Sequence, residues 1–168
     1  MRLTRFTDFG LRTLIYVGRH GGRICTMGEI ATHHQISREH LRKVVHKMAG
    51  TGYLKSSRGR GGGLLLGMDA SAIRIGDAIL ALDEDLNIVD CEALDCKLAP
   101  GCSLKTALDR AGHAFLASLN EVTLADLLGD ARMQRQFKTV DALVAGLAAE
   151  PHMSRTRART ARAIPKTR

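Results

Sequence analysis

Helix-length apolar periodicities in the first fifty residues, a basic glycine-rich segment between two short apolar runs, and an apolar stripe beyond residue 100 predict a mainly α-helical fold with one small β-hairpin. The first helix, over residues 7–20, rests on Phe9, Leu11, Leu14, Ile15 and Val17 without a proline, and Thr7 or Asp8 is available as its N-cap. Gly21-Gly22 ends it. Thr26, with Glu29 three positions later, opens a short second helix that closes at His33 or His34. Ser37 opens a third, in which Leu41, Val44, Val45 and Met48 follow the i, i+3, i+4, i+7 rule for one buried face. Its other face is Arg38, Glu39, His40, Arg42, Lys43, His46 and Lys47. Gly50 and Gly52 stop this helix, and residues 53–57 and 64–66 read as strands joined by a Ser-Arg-Gly-Arg-Gly-Gly segment. Three helices and a basic hairpin over residues 1–82 make a winged helix-turn-helix.

A fourth helix is expected over residues 75–82. The polar stretch that follows, to residue 102, carries three cysteines and Pro100-Gly101, which forbids regular structure. Over residues 103–150 the dominant signal is a stripe of Leu104, Leu108, Ala111, Phe115 and Leu119, with Lys105, Asp109 and Arg110 off it. A domain this small has little left to cover such a stripe, so a second subunit is its expected cover and the helix is read as a long dimerisation helix. Residues 123–128 and 133–147 suggest two further helices. Residues 151–168, rich in Thr, Ala and Arg and without periodicity, are expected to be a disordered basic tail.

The 168 residues carry a net charge of +8, and it is partitioned. Residues 1–80 hold 13 Lys/Arg against 5 Asp/Glu, residues 81–150 hold 6 against 12, and residues 151–168 hold 6 against none. Such a division points to a module facing a polyanion joined to a part with another task, and nucleic acid is the first partner to consider. No apolar run has the length of a membrane span, and the N-terminus lacks the apolar stretch of a signal peptide, so no membrane association and a cytoplasmic location are expected. No catalytic constellation emerges, and the chain is not read as an enzyme.

The polar face of the third helix suits the major groove of double-stranded DNA. Arg38 or Arg42 can bond guanine bidentately, Glu39 can accept from cytosine, and Ser37 and His40 complete the reading face. Lys43 and Lys47 suit phosphates. In the hairpin, Arg58 and Arg60 sit between glycines and can reach a narrow minor groove. A dinucleotide-loop reading of Gly59, Gly61, Gly62 and Gly63 fails, because Leu64 stands where the third glycine is needed and a strand follows.

Cys91, Cys96 and Cys102 fall within twelve residues, whereas Cys25 stands alone. In a reducing compartment three clustered thiols are material for an iron-sulfur cluster, a zinc site or a metal-free thiol switch. Each metal centre usually takes four ligands, so a fourth must come from elsewhere. Cys25 is a candidate, against the plainer reading of a small buried apolar residue. The sulfur spacing departs from ferredoxin runs, and an electron carrier would have no use for the wing.

Several motifs occur together and in order: Leu3-Thr4-Arg5-Phe6-Thr7-Asp8-Phe9-Gly10-Leu11-Arg12, Ser37-Arg38-Glu39-His40-Leu41, Arg58-Gly59 with Gly62-Gly63, Ser71-Ala72-Ile73-Arg74-Ile75-Gly76-Asp77, Cys-x4-Cys-x5-Cys at 91, 96 and 102, and Thr123-Leu124-Ala125-Asp126-Leu127. In this set the chain resembles, from residue 1 to about 130, the winged-helix iron-sulfur transcription regulators, the family of IscR and of the nitric-oxide-sensing NsrR repressors, and it looks most like the latter branch. The resemblance implies a homodimeric repressor on a near-palindromic operator, with a 4Fe-4S or 2Fe-2S cluster on residues 83–102. It also implies Asp8 as the fourth ligand; the other reading of Asp8 is a helix N-cap. Nitric oxide would be the signal, attack on the cluster would release DNA, and genes for nitric oxide detoxification would be switched on. A regulator of iron-sulfur assembly or of iron and redox status shares the same architecture.

Overall fold

The structure, a computed structural model, describes residues 3–149 apart from 58, 60, 84–87 and 92, with the side chains of 143–149 also outside the description. Helix α1 (Arg5–Arg19) starts two residues earlier than the periodicity predicts. Its N-cap is Thr4, whose hydroxyl accepts from the Thr7 amide at 3.2 Å, so neither Thr7 nor Asp8 caps it. The correction has a tertiary cause. Thr7 is fully buried and donates its hydroxyl to Asp83 Oδ2 at 2.9 Å, a bond to the far end of the domain that a capping side chain could not make.

Helices α2 (Met27–His34) and α3 (Arg38–Gly50) begin where the capping residues say. The Thr26 and Ser37 hydroxyls each accept an amide three residues on, at 3.2 and 3.3 Å, satisfying donors that helix starts leave orphaned. Gln35, in the left-handed region at φ 54°, turns the chain between the two. Strands β1 (Leu54–Ser56) and β2 (Leu64–Leu66) pair antiparallel, Leu54 facing Leu66 and Ser56 facing Leu64. The ladder extends one bond beyond each end, from Ser57 N–H to the Gly63 carbonyl and from Gly67 N–H to the Tyr53 carbonyl, which accounts for the longer first strand read from sequence. Cys25 adds a third edge by exchanging two backbone bonds with Leu64, at 2.9 and 2.7 Å.

Helix α4 (Ile75–Leu82) lies over α1, and Gly10 is needed there because a Cβ at that position would meet Leu82 Cδ1 at 2.4 Å. Helix α5 (Ser103–Asn120) packs on this body towards its C-terminal end, where Leu116 and Leu119 lie against the core. Asn120 accepts the Asp77 amide and donates to the Asp77 carboxylate, both at 2.8 Å, and its carbonyl accepts from Arg74 at 2.6 Å. Helix α6 (Leu124–Gly129), with a reciprocal Thr123 and Asp126 capping box, packs Leu124 and Leu128 against Gly18 of α1. Helix α7 (Ala131–Ala149) follows, its first amides held by Asp130.

One core joins Leu14 and Val17 of α1, Ile30 of α2, Leu41, Val44 and Met48 of α3, Leu54 and Leu64 of the hairpin, Ile79 of α4 and Leu124 of α6. Cys25 is fully buried in it, as a small apolar residue. Helix α5 contributes no buried residue. Among the described residues no helix is long and apolar enough to cross a membrane.

Candidate nucleic-acid interface and metal centre

Because Leu41, Val44 and Met48 anchor one side of α3, the residues between them must face outward. Ser37, Arg38, Glu39, His40, Arg42 and Lys43 are exposed, and Lys47 is half-buried. Within this face the side chains already have local partners. Ser37 Oγ lies 2.9 Å from His40 Nδ1, and Glu39 and Lys43 form an i, i+4 pair at 3.8 Å that is too exposed to hold either side chain firmly. Arg38 leans back towards α2, its guanidinium 3.4 Å from where a Cβ on Gly28 would stand, which leaves Arg42 better placed to reach forward.

Arg42 lines a cleft between α3 and the hairpin together with Met27, Val45, His46, Ala49, Ser56, Ser57, Gly59, Gly62, Gly63 and Leu64. His46, Ser56 and Ser57 were absent from the site expected on sequence grounds; the available signal was His46 standing one turn after Arg42. Gly59 and Gly61, at φ 102° and 79°, require glycine, and Gly63 does so for space, since a Cβ there would meet the Cys25 carbonyl oxygen at 2.5 Å. Arg58 and Arg60, the expected minor-groove contacts, lie outside the described residues.

The three cysteines are free thiols in tight turns at the foot of α5. Cys96 N–H bonds the Cys91 carbonyl at 3.0 Å, Ala99 N–H bonds the Cys96 carbonyl at 3.0 Å, and Cys102 is the residue from which α5 starts. Desolvation, then the charges of Cys96 and Cys102, push the Cys91 thiol above its ordinary value. Three soft donors in one loop suit a multi-iron cluster, in which each thiolate takes a different iron and ligands stand farther apart than on a single ion. No group of three or more His, Cys, Asp or Glu among the described residues could hold a single metal ion.

Asp8 is engaged on its own helix, by Arg12. Its Oδ1 accepts from Arg12 Nε at 2.9 Å, with 43% of the Asp8 side chain and 52% of Arg12 still exposed. Around the next turns lies a group that sequence reasoning did not single out. Tyr16 packs on His20, His33 and His34, with ring centroids 4.5, 4.8 and 5.7 Å away. Burial, then His33 and Arg12, depress His34 to about 4, so it is neutral at ordinary pH. On α5, Leu104 is 66% exposed, Ala111 is exposed, and Leu108, Phe115 and Leu119 are only half-buried, so the expected interface stripe is largely uncovered in one protomer.

The sequence profile of the Rrf2 family, described as iron-dependent transcriptional regulators, matches residues 3–130. Among solved structures, CymR (YrzC), the global cysteine regulator of B. subtilis, is similar with 27% identity over 76% of this chain and 96% of its own, at a TM-score of 0.64. The oxidized form of Staphylococcus aureus CymR shares the fold at 23% identity, 78% and 98% coverage and a TM-score of 0.63. T. potens IscR does so at 23% identity, 78% and 88% coverage and a TM-score of 0.64.

Proposed function

The chain belongs to the Rrf2 family of transcriptional regulators, and from that premise we propose that it is a DNA-binding repressor that senses nitric oxide through an iron-sulfur cluster. The observation that carries this reading is the loop of Cys91, Cys96 and Cys102, three free thiols within twelve residues at the start of α5, a donor set one short of four. When bound, such a cluster would offer the iron on its hard oxygen ligand to a diatomic gas, since that ligand is the weakest of an otherwise soft set.

The three cysteines hold the cluster. Asp8 would supply the fourth donor, and because on its own helix it pairs with Arg12, we assign it to the loop of a second protomer. Leu104, Leu108, Ala111, Phe115 and Leu119 form the contact between protomers, and the resulting two-fold dimer reads a near-palindromic operator. Ser37, Arg38, Glu39, His40, Arg42, Lys43 and Lys47 face the major groove, with Arg58 and Arg60 of the wing in the minor groove. Release of Asp8 from such a site would free the two DNA-reading halves to change their relative setting, a rigid-body switch at a subunit interface.

The test is anaerobic iron and sulfide quantification, followed by a nitric oxide titration read in parallel by absorbance and operator binding. The reading expects iron with sulfide, a visible chromophore, and loss of both chromophore and operator binding on nitric oxide. The family's description as iron-dependent favours one second reading, a regulator of iron-sulfur assembly or of iron and redox status. Operator binding that responds to chelation or oxygen and not to nitric oxide would establish that one instead.

A further inference from the structure

The cleft between α3 and the hairpin has a polar rim, and the major-groove assignment leaves two of its members, His46 and Ser56, unused. On α3, Arg42, Val45, His46 and Ala49 follow the i, i+3, i+4, i+7 spacing, so they share one stripe along the cleft. Side chains alternate along a strand, which puts Ser56 on the same face of β1 as Leu54 and opposite Leu64 in the ladder. Leu54 and Leu64 are each 2% exposed, and Ser56 carries their face outward past the core. The space between the two walls, about 500 Å³, has Met27 and Val45 at its apolar floor. Its far wall is made of Gly59, Gly62 and Gly63, which keep it open by having no side chains.

The chemistry of the rim selects an anion. Among the described residues no carboxylate lines the cleft, and no hydrogen bond or ion pair engages the exposed side chains of Arg42, His46 and Ser56. Earlier on the same helix the polar side chains are already taken, Ser37 with His40 and Glu39 with Lys43. An imidazole carries an N–H in either tautomer, and a hydroxyl proton rotates to suit its acceptor, so both rim residues are ready donors. If α3 enters the major groove and the hairpin the adjacent minor groove, the sugar-phosphate strand that separates those grooves has to pass between the two elements. We propose, resting on that DNA-binding reading, that the cleft is the seat of this strand: His46 and Ser56 donate to its phosphates from opposite walls, and Met27 and Val45 lie against its deoxyribose carbons. A strand that is anionic at its phosphates and apolar at its sugars matches a cleft with a donor rim and an apolar floor. The contact carries no base information and holds the register in which α3 meets the bases. It does not depend on the cluster.

The experiment uses the full-length protein, purified anaerobically, and a duplex that it selects from a random-sequence pool, with binding followed by fluorescence anisotropy. Neutral methylphosphonates replace the phosphates of each strand one position at a time. In the natural chain a loss of about tenfold should fall on adjacent positions that flank the selected bases on the side of the neighbouring minor groove. The combined variant His46→Ala, Ser56→Ala changes only exposed side chains and should keep the melting temperature of the natural chain. Its affinity for the unmodified duplex should fall about tenfold, and a methylphosphonate at the sensitive positions should then cost nothing further, while losses at other positions stay as they were. A full methylphosphonate penalty in the double variant overturns the contact, as does the absence of any sensitive position between the two grooves. Failure to select any duplex overturns the DNA-binding reading itself, and the seat for the strand with it.

Discussion

Residues 3–82, closed by α6, and residues 88–120 are built on opposite terms. In the first region every helix puts a fully or nearly fully buried side chain into one core, and Cys25 and Thr7 complete it from the loop and the first turn. In the second, α5 has eighteen residues and buries none of them, and the thiol loop before it is held by backbone turns. The difference teaches where each region finds its stability. The half that carries α3 and the hairpin is specified from within, whereas α5 leaves Leu104 and Ala111 exposed and Leu108 and Phe115 half-buried.

Substitution in the two apolar faces is the most direct way to break that comparison. Leu41→Ala, at a fully buried site of α3, should cost about 2–5 kcal/mol of folding stability, whereas Phe115→Ala should leave the protomer's unfolding nearly unchanged and shift sedimentation towards the monomer. If Phe115→Ala unfolds the protein as Leu41→Ala does, α5 belongs to the core after all. A smaller effect is expected at the reading face. Arg42→Ala should lose about 1–3 kcal/mol of operator affinity and relax specificity, while Lys43→Ala should weaken all duplexes alike and lower the salt slope by about 1. Removing the Thr4 cap by Thr4→Ala should cost about 1 kcal/mol, and Asp8→Ala should cost less, because Asp8 does not cap; equal losses in thermal melts would contradict the cap assignment.

The last effect is one of pH. His34 titrates at about 4 in the folded protein, below its ordinary value, because burial, His33 and Arg12 oppose its charge. A depressed folded value means that the neutral ring stabilises the native state above about pH 6.5 and that this contribution is lost as pH falls towards 4. The melting temperature should therefore fall more steeply over that window in the natural chain than in His34→Gln.

Elements whose signals are local were legible in the sequence. Thr26 and Ser37 announce α2 and α3 because a capping hydroxyl acts within three residues, and Leu64–Leu66 announces β2 by its apolar run between glycines. The true start of α1 was not legible, since Thr4 and Thr7 are both competent caps and the choice is made by Asp83, which lies seventy-six residues away. The same holds for the third sheet edge at Cys25, whose backbone partner Leu64 no local pattern reveals. Within the site, the outward face of α3 followed from periodicity. The cleft that adds His46, Ser56 and Ser57 to Arg42 required the hairpin to fold back over α3.

The bond between Asn120 and Asp77 has a mechanical meaning. Gly76 admits no side chain there, because a Cβ would stand 2.4 Å from Asn120 Oδ1 and 2.6 Å from the Leu116 carbonyl oxygen, so helices α4 and α5 meet backbone to backbone. From that contact α5 runs about 27 Å to Cys102, where the thiol loop ends. A tilt of about 5° at the contact would move Cys102 by roughly 2 Å, on the scale of a metal–sulfur bond.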